Sequence, residues 1–342
     1  MARRPRPWRS LPAVTAALLL VACSGPAPGG AASLTGQPSP AASAGGASRG
    51  SAAPTGPALP GILGSVEVGA GPCALEVAPS GAVFVTLYNA RTVVRVDPAT
   101  GSVTTLAHLD GPPCGIAWAD GSLWVGVLQA HQLLRLDPGS GEVQQTIALA
   151  GDPWDVQPGG GRVWVVDRGV PAVIGFDAKT GTPGPMFTTD FTATGLAYVD
   201  GHAWVAVRGT RQVIRLTAGG DAAETSQDAG SQPTWFADGG GSLWVTDLSG
   251  AVIRIDPASG RAAAAVQLDG MPRDPVFAFG ALWVAESSHG ILYRISPDTD
   301  AVTGMVELKV GIWTVEQVGQ EVWVENFSDS EIYRIDPTSV PS

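Results

Sequence analysis

The sequence predicts an all-β protein, a seven-bladed β-propeller of four-stranded blades. A turn-like stretch recurs seven times, an aromatic residue precedes each copy in the same register, and nothing has the period of a long amphipathic helix. The turn series opens with RVDPATGSV at Arg95. It returns at Arg135, Gly175, Arg215, Arg254, Arg294 and Arg334, at spacings of 40, 40, 40, 39, 40 and 40. The aromatic series is Phe84, Trp124, Trp164, Trp204, Trp244, Trp283 and Trp323, spaced 40, 40, 40, 40, 39 and 40. A period near 40 with only strand-like content is that of propeller blades. With 45 Gly and only 15% charged residues, the composition suits a fold of many tight turns.

The elements follow from the N-terminus. Residues 1–22 carry Arg3, Arg4, Arg6 and Arg9 and then a short apolar run, the charged head and core of an export signal. Its end, Leu20-Val21-Ala22-Cys23, resembles the lipobox of bacterial lipoprotein precursors. That resemblance implies cleavage before Cys23, lipidation of its thiol and an extracytoplasmic chain anchored to the cell membrane only by lipid. Arg3-Arg4 leaves the export route open between the general and twin-Arg systems. Residues 23–60 are almost wholly Gly, Ala, Ser, Pro and Thr, so they cannot bury a core and read as a tether. The propeller is expected over 61–342. The net charge of −11 becomes −15 without residues 1–22, which excludes nucleic acid as a partner, since phosphate binding needs a basic surface.

Blade two shows one unit: strands A at 113–118, B at 122–127, C at 132–136 and D at 142–149. Side chains alternate along strand B, so Trp124 faces away from Leu123 and Val125 and is expected to fill the gap between blades. The seventh copy ends after strand C, whereas an unmatched strand, 62–69, precedes the first copy. Strand 62–69 is therefore expected to be the outer strand of blade seven. That closes the ring and leaves no open edge.

The DPxTG stretch lies between strands C and D. Asp is expected to accept backbone N–H groups one or two residues on, Pro fixes φ, and Gly takes the left-handed conformation. The copies degrade as a turn tolerates: Thr217 and Ser296 replace Asp, Ala178 replaces Pro and Asp300 replaces Gly. The element is similar to part of the tryptophan-docking motif of quinoprotein propellers. The closing Trp is missing, however, so no cofactor is expected. FVTLYNARTVVRVDPATGSV (84–103) resembles the YVTN-type surface repeat, and LWVTDLSGAVIRIDPASG (243–260) resembles the repeat of virginiamycin B (streptogramin) lyase-like proteins. Together these cover roughly 62–337 and imply a seven-bladed ring.

In such a ring the D–A and B–C connections surround one mouth of the central channel, and here those segments vary in sequence. They offer Trp154, Asp155, Asp167, Arg168, Arg208, Trp235, Asp247, Arg273, Asp274, Glu286, His289, Trp313 and Glu325 as a ligand rim. The lyase resemblance implies a divalent metal held by a Glu and a His at a B–C corner and a second His at a D–A corner. Glu286 and His289 are the candidates for the first pair, one residue further apart than in the family. No D–A corner carries a His, so that set is incomplete. Cys73 and Cys114 share a repeat position in adjacent blades and are expected to form a disulfide. The function expected is therefore a monomeric binding or interaction module at the cell envelope, for a small ligand, peptide, glycan or envelope protein. The alternative is a metal-dependent lyase or hydrolase using the same rim.

Overall fold

The computed structural model describes residues 61–189 and 192–340. Cys23, segment 1–22 and tether 23–60 lie outside the described residues. The chain opens with β1 (Ile62–Glu67). Blade one is β2 (Pro72–Val77), β3 (Val83–Leu87), β4 (Thr92–Val96) and β5 (Val103–His108). Blade two is β6 (Pro113–Ala119), β7 (Ser122–Val127), β8 (Gln132–Leu136) and β9 (Val143–Ala148). Its A and D strands thus differ by a residue or two from the sequence expectation. Blade three is β10 (Pro153–Gly159), β11 (Arg162–Asp167), β12 (Ala172–Asp177) and β13 (Pro183–Thr188). Blade four is β14 (Ala193–Val199), β15 (His202–Val207), β16 (Gln212–Leu216) and β17 (Ala223–Asp228). Blade five is β18 (Pro233–Gly239), β19 (Ser242–Asp247), β20 (Ala251–Asp256) and β21 (Arg261–Gln267). Blade six is β22 (Pro272–Ala278), β23 (Ala281–Glu286), β24 (Ile291–Ser296) and β25 (Ala301–Glu307). Blade seven has β26 (Ile312–Val318), β27 (Glu321–Asn326) and β28 (Glu331–Ile335) from the C-terminal end.

The fourth strand of blade seven is β1, antiparallel to β28 with Ser65 opposite Tyr333 and Glu67 opposite Glu331. The pairing runs one step further, where Val68 N donates to Ser330 O at 3.0 Å. Each innermost strand touches the next around the channel, from β2 and β6 through to β26 and back to β2. The ring is closed without a seam.

The recurring aromatics hold the blades together. Trp124, Trp204, Trp244, Trp283 and Trp323 are fully buried. Each packs into the sheet that follows. Trp124 meets Val156, Val163 and Phe176 of blade three, and Trp323 meets Leu75, Val85 and Val94 of blade one, across the closure. The Arg that opens the turn series is the cross-strand partner of the Trp: Trp124 opposes Arg135, Trp204 Arg215, Trp244 Arg254 and Trp323 Arg334. The two sequence markers are one contact. The guanidinium lies over the indole (5.7 Å for Arg135, 5.6 Å for Arg254) and reaches into the next blade's C–D turn. There Arg215 donates to Pro257 O at 2.8 Å and Arg254 to Pro297 O at 2.8 Å.

In the turns, Asp97 Oδ1 accepts Ala99 N at 2.8 Å and Thr100 N at 3.2 Å, and Asp137 accepts Gly139 N and Ser140 N likewise. The capped amides lie two and three residues on, which corrects the expected one or two. The third amide is reached whether or not Pro follows, since Asp177, with Ala178 next, accepts Thr180 N at 2.8 Å. These bonds hold the carboxyls of Asp97, Asp137, Asp177, Asp256 and Asp336 below the usual Asp range. Asp300, which replaces the turn Gly in blade six, adopts the left-handed φ of 49° that Gly would supply.

Candidate functional site

Every innermost strand breaks register near its start, as at Pro153/Asp155 and Pro272/Pro275. A bulge there turns side chains toward the channel mouth. Neighbouring strands approach closely because small residues alternate with large ones. A Cβ on Gly195 would stand 1.8 Å from Thr234 O, so only Gly fits there. Beside it, Thr194 Oγ1 donates to Pro233 O at 2.7 Å and ties blade four to blade five.

The mouth carries the aromatic and cationic members of the expected rim. Arg168 lies over Trp154, its Cζ 3.4 Å from the ring centroid. Arg273 lies 4.1 Å over Trp313 and 5.7 Å from Trp235, and its Nε donates to Ser287 Oγ at 2.7 Å. Trp235 meets Trp313 edge-on at 5.6 Å, and Phe327 and Tyr88 continue the aromatic arc. Burial, then the neighbouring Arg208, lowers Arg168 to about 10. Burial also lowers Arg273, opposed by Glu286 and reinforced by Arg208. Arg168, Thr192, Thr194, Arg208 and Gly209 border a pocket of about 390 Å³. A larger concavity of about 570 Å³ lies at the opposite, C–D-turn side between blades one and two. Arg95 and Asp97 line it, but Asp97 is already a turn cap, and no aromatic residue borders it.

The acids of the expected rim separate into two groups, and neither lines it as an open ligand set. Asp167, Asp247 and Glu286 end strand B in blades three, five and six, fully buried. Asp167 accepts Gly151 N and Gly169 N at 3.0 and 2.9 Å, and Asp247 accepts Gln232 N and Ser249 N at 2.8 and 2.7 Å. Glu286 accepts Met271 N and His289 N, both at 2.8 Å, as well as Ser288 N. Each of these carboxylates binds a D–A loop to a B–C turn. Burial pushes Glu286 upward, but the Ser288 hydroxyl and the amides of Met271, Ser288 and His289 outweigh it and hold the group below the usual Glu range. His289 Nδ1 lies 3.1 Å from Glu286 Oε2, so the two candidates do meet. They do not fit a divalent metal, because the carboxylate oxygens are filled by backbone donors. Among the described residues no three His, Cys, Asp or Glu side chains are grouped to hold an ion.

The second group lines the channel below the mouth. Asp155 accepts Leu196 N at 2.8 Å and Gln157 Nε2 at 3.0 Å. Asp274 is level with Thr314 of the next blade, and Glu325 is fully buried with both oxygens lacking a hydrogen bond. The Thr314 hydroxyl is close enough to lower Glu325 somewhat, but by geometry it donates to Cys73 O at 3.4 Å. Two residues deeper come Glu76 and Glu316, which sequence reasoning missed. Both sit two places after the mouth position on strand A, and that spacing was the available signal. These side chains keep some surface along the bore, yet the ring encloses them. Burial, with repulsion from Glu316, lifts Glu76 to about 8, and burial lifts Asp155 to about 6, Glu316 to about 7 and Glu325 to about 8. Asp274 rises furthest, through burial and then the charges of Asp155, Glu316 and Glu325. A cavity of about 30 Å³ remains between the mouth residues and this well. Cys73 and Cys114 are joined there by a disulfide, Cα to Cα 5.1 Å, which links blades one and two.

No known family profile matches the sequence, and no curated protein does. Solved structures match the fold. Virginiamycin B lyase from Staphylococcus aureus is 16% identical, with a TM-score of 0.69 over 80% of this chain and 98% of that one. The WD40 β-propeller domain of Doa1 is 11% identical, with a TM-score of 0.69 over 81% of this chain and 97% of that one. BamB from Moraxella catarrhalis is 11% identical, with a TM-score of 0.59 over 77% and 82%. The propeller fold is thereby established. At such identities no activity comes with it.

Proposed function

We propose that this chain is an exported, lipid-anchored binding module, presenting one mouth of its propeller to a ligand or partner in the cell envelope. One observation carries the binding half: the convergence of Trp154, Trp235 and Trp313 with Arg168, Arg208 and Arg273 around one end of the channel. Large rigid rings with cationic neighbours form contact surfaces at low entropic cost. The export half is supported by the arginine-rich start, the apolar run and Leu20 to Cys23.

Two experiments test the halves separately. Palmitate label is expected on the full chain in membrane fractions and is expected to be lost in Cys23→Ser. An unlabelled cytosolic protein overturns the anchor. A compound found by thermal-shift screening is expected to protect the wild type and to fail with Trp313→Ala. Equal protection of both overturns the mouth as the binding surface. Glu286 and His289 do not supply the metal set that the lyase alternative needs, so no catalytic step is derived from them.

A further inference from the structure

The mouth gathers three guanidinium groups from three blades. Arg168 follows β11, Arg208 follows β15 and Arg273 lies in β22. Arg208 is near enough to both others to depress each of them electrostatically. Like charges brought together repel, and more strongly where they are partly withdrawn from water, as Arg168 and Arg273 are. Among the described residues, the nearby acids relieve this only in part: Asp155 and Asp152 favour the charged form of Arg168 and Glu286 that of Arg273, yet each accepts its hydrogen bonds from other groups. Asp155 accepts from Leu196 and Gln157, Glu286 from Met271, Ser288 and His289, and Asp152 from Gln129 N while pairing with His131. Among the described residues no acid lies within ion-pair distance of Arg168, Arg208 or Arg273.

Stacking fixes how these cations present themselves. Arg168 and Arg273 sit 3.4 and 4.1 Å from the ring centroids of Trp154 and Trp313, and a guanidinium held over an indole face keeps in-plane N–H donors for other partners; of these, Arg273 Nε is used on Ser287 Oγ. Arg208 is exposed, and its guanidinium is free of hydrogen bonds and ion pairs among the described residues. The pocket of about 390 Å³ between Arg168 and Arg208 is bordered by the exposed Thr192, a further hydroxyl. Planar N–H forks without acids are the donors that match the oxygens of a carboxylate or phosphate. The chain as a whole carries −11, so this patch runs against its field.

We propose that Arg168, Arg208 and Arg273 form an oxyanion site, and that the ligand is a small molecule whose carboxylate or phosphate they hold while its planar or apolar part lies against the half-buried Trp313. This rests on the reading of the mouth as the binding surface and names the ligand's charge. The test is calorimetric titration of the full chain with phenyl phosphate, benzoate, phenol and benzylamine. Phenyl phosphate or benzoate is expected to bind at least tenfold more tightly than phenol, and benzylamine most weakly. The stronger of the two anions identifies the oxyanion. Arg208→Ala is expected to weaken anion binding at least tenfold, and Arg254→Ala, on a blade, to leave it unchanged. Arg208 is exposed, so its removal leaves folding intact, and an unchanged or raised melting temperature verifies that. Equal binding of anion and phenol, or anion binding untouched by Arg208→Ala, overturns the oxyanion site. If phenol or benzylamine binds, loses affinity in Trp313→Ala and outcompetes the anions, the mouth remains a binding surface and only the anionic assignment fails.

Discussion

Arg–Trp pairs occur in two regions of this propeller, and they differ in what lies beyond the guanidinium. On the blades, Arg135, Arg215, Arg254 and Arg334 cover Trp124, Trp204, Trp244 and Trp323 and end on acids or carbonyls: Glu224 for Arg215, Asp300 for Arg254 and Glu321 for Arg334. At the mouth, Arg168 and Arg273 cover Trp154 and Trp313, and among the described residues no acid lies within ion-pair distance of either. Arg294 over Trp283 is the exception on the blades, its buried Nε without a hydrogen bond, so it is the gathering at one channel end, not the lack of a partner alone, that sets the mouth arginines apart. The acids divide too. Turn carboxylates are held low by backbone amides, and channel carboxylates are held high by burial.

The comparison breaks first if the ring is not closed as described. Deleting 62–69 removes the outer strand of blade seven together with buried Val66 and Val68, and cooperative thermal unfolding is expected to disappear. A melt like that of the full chain would falsify the closure. Next in size, Trp244→Ala on a blade is expected to lower stability by about 3–5 kcal/mol in denaturant titrations. The half-buried Trp154 at the mouth, replaced by Ala, is expected to lose roughly 1–2 kcal/mol. Equal losses would erase the distinction between the two sets. Replacing Cys73 and Cys114 by Ser opens a link spanning 41 residues and is expected to cost roughly 2–4 kcal/mol, measured against the oxidised wild type.

The acids give opposite pH dependences. The turn Asp groups have folded values below their unfolded ones, so their contribution is present above about pH 4 and fades as pH falls. The channel acids have raised folded values. Their contribution is full below about pH 4.5 and is lost as pH rises toward about 8, where Glu76 and Glu325 ionise inside the ring. Melting temperature is therefore expected to peak in mild acid and decline toward about pH 8. Glu325→Gln is expected to flatten that decline, and an unchanged slope argues against Glu325 as a source of it. The smallest effect separates the two Arg sets. Arg254→Ala is expected to lose about 0.5–1 kcal/mol with its indole contact and ion pair, and Arg208→Ala to lose none.

Much of this was legible in the sequence for one physical reason: a blade's contacts are local and repeat. Spacing alone gives the strand order, the inward Trp and the Gly or Asp of each turn, because each depends on neighbours within about 40 residues; the closing strand, which pairs Ser65 with Tyr333, is legible because the repeat leaves one copy a strand short. The mouth was legible only as a roster of side chains on D–A and B–C segments. Nothing in the spacing tells that Asp167, Asp247 and Glu286 turn back onto amides of the preceding loop, while Arg168 and Arg208 border one pocket and Arg273 folds over Trp313. Likewise Glu76 and Glu316 read as ordinary polar positions on their strands until the ring encloses them. The sequence by itself determined the architecture and its closure. Only the tertiary structure decided which charges are satisfied, because that depends on groups brought together from different blades around an axis that no single blade contains.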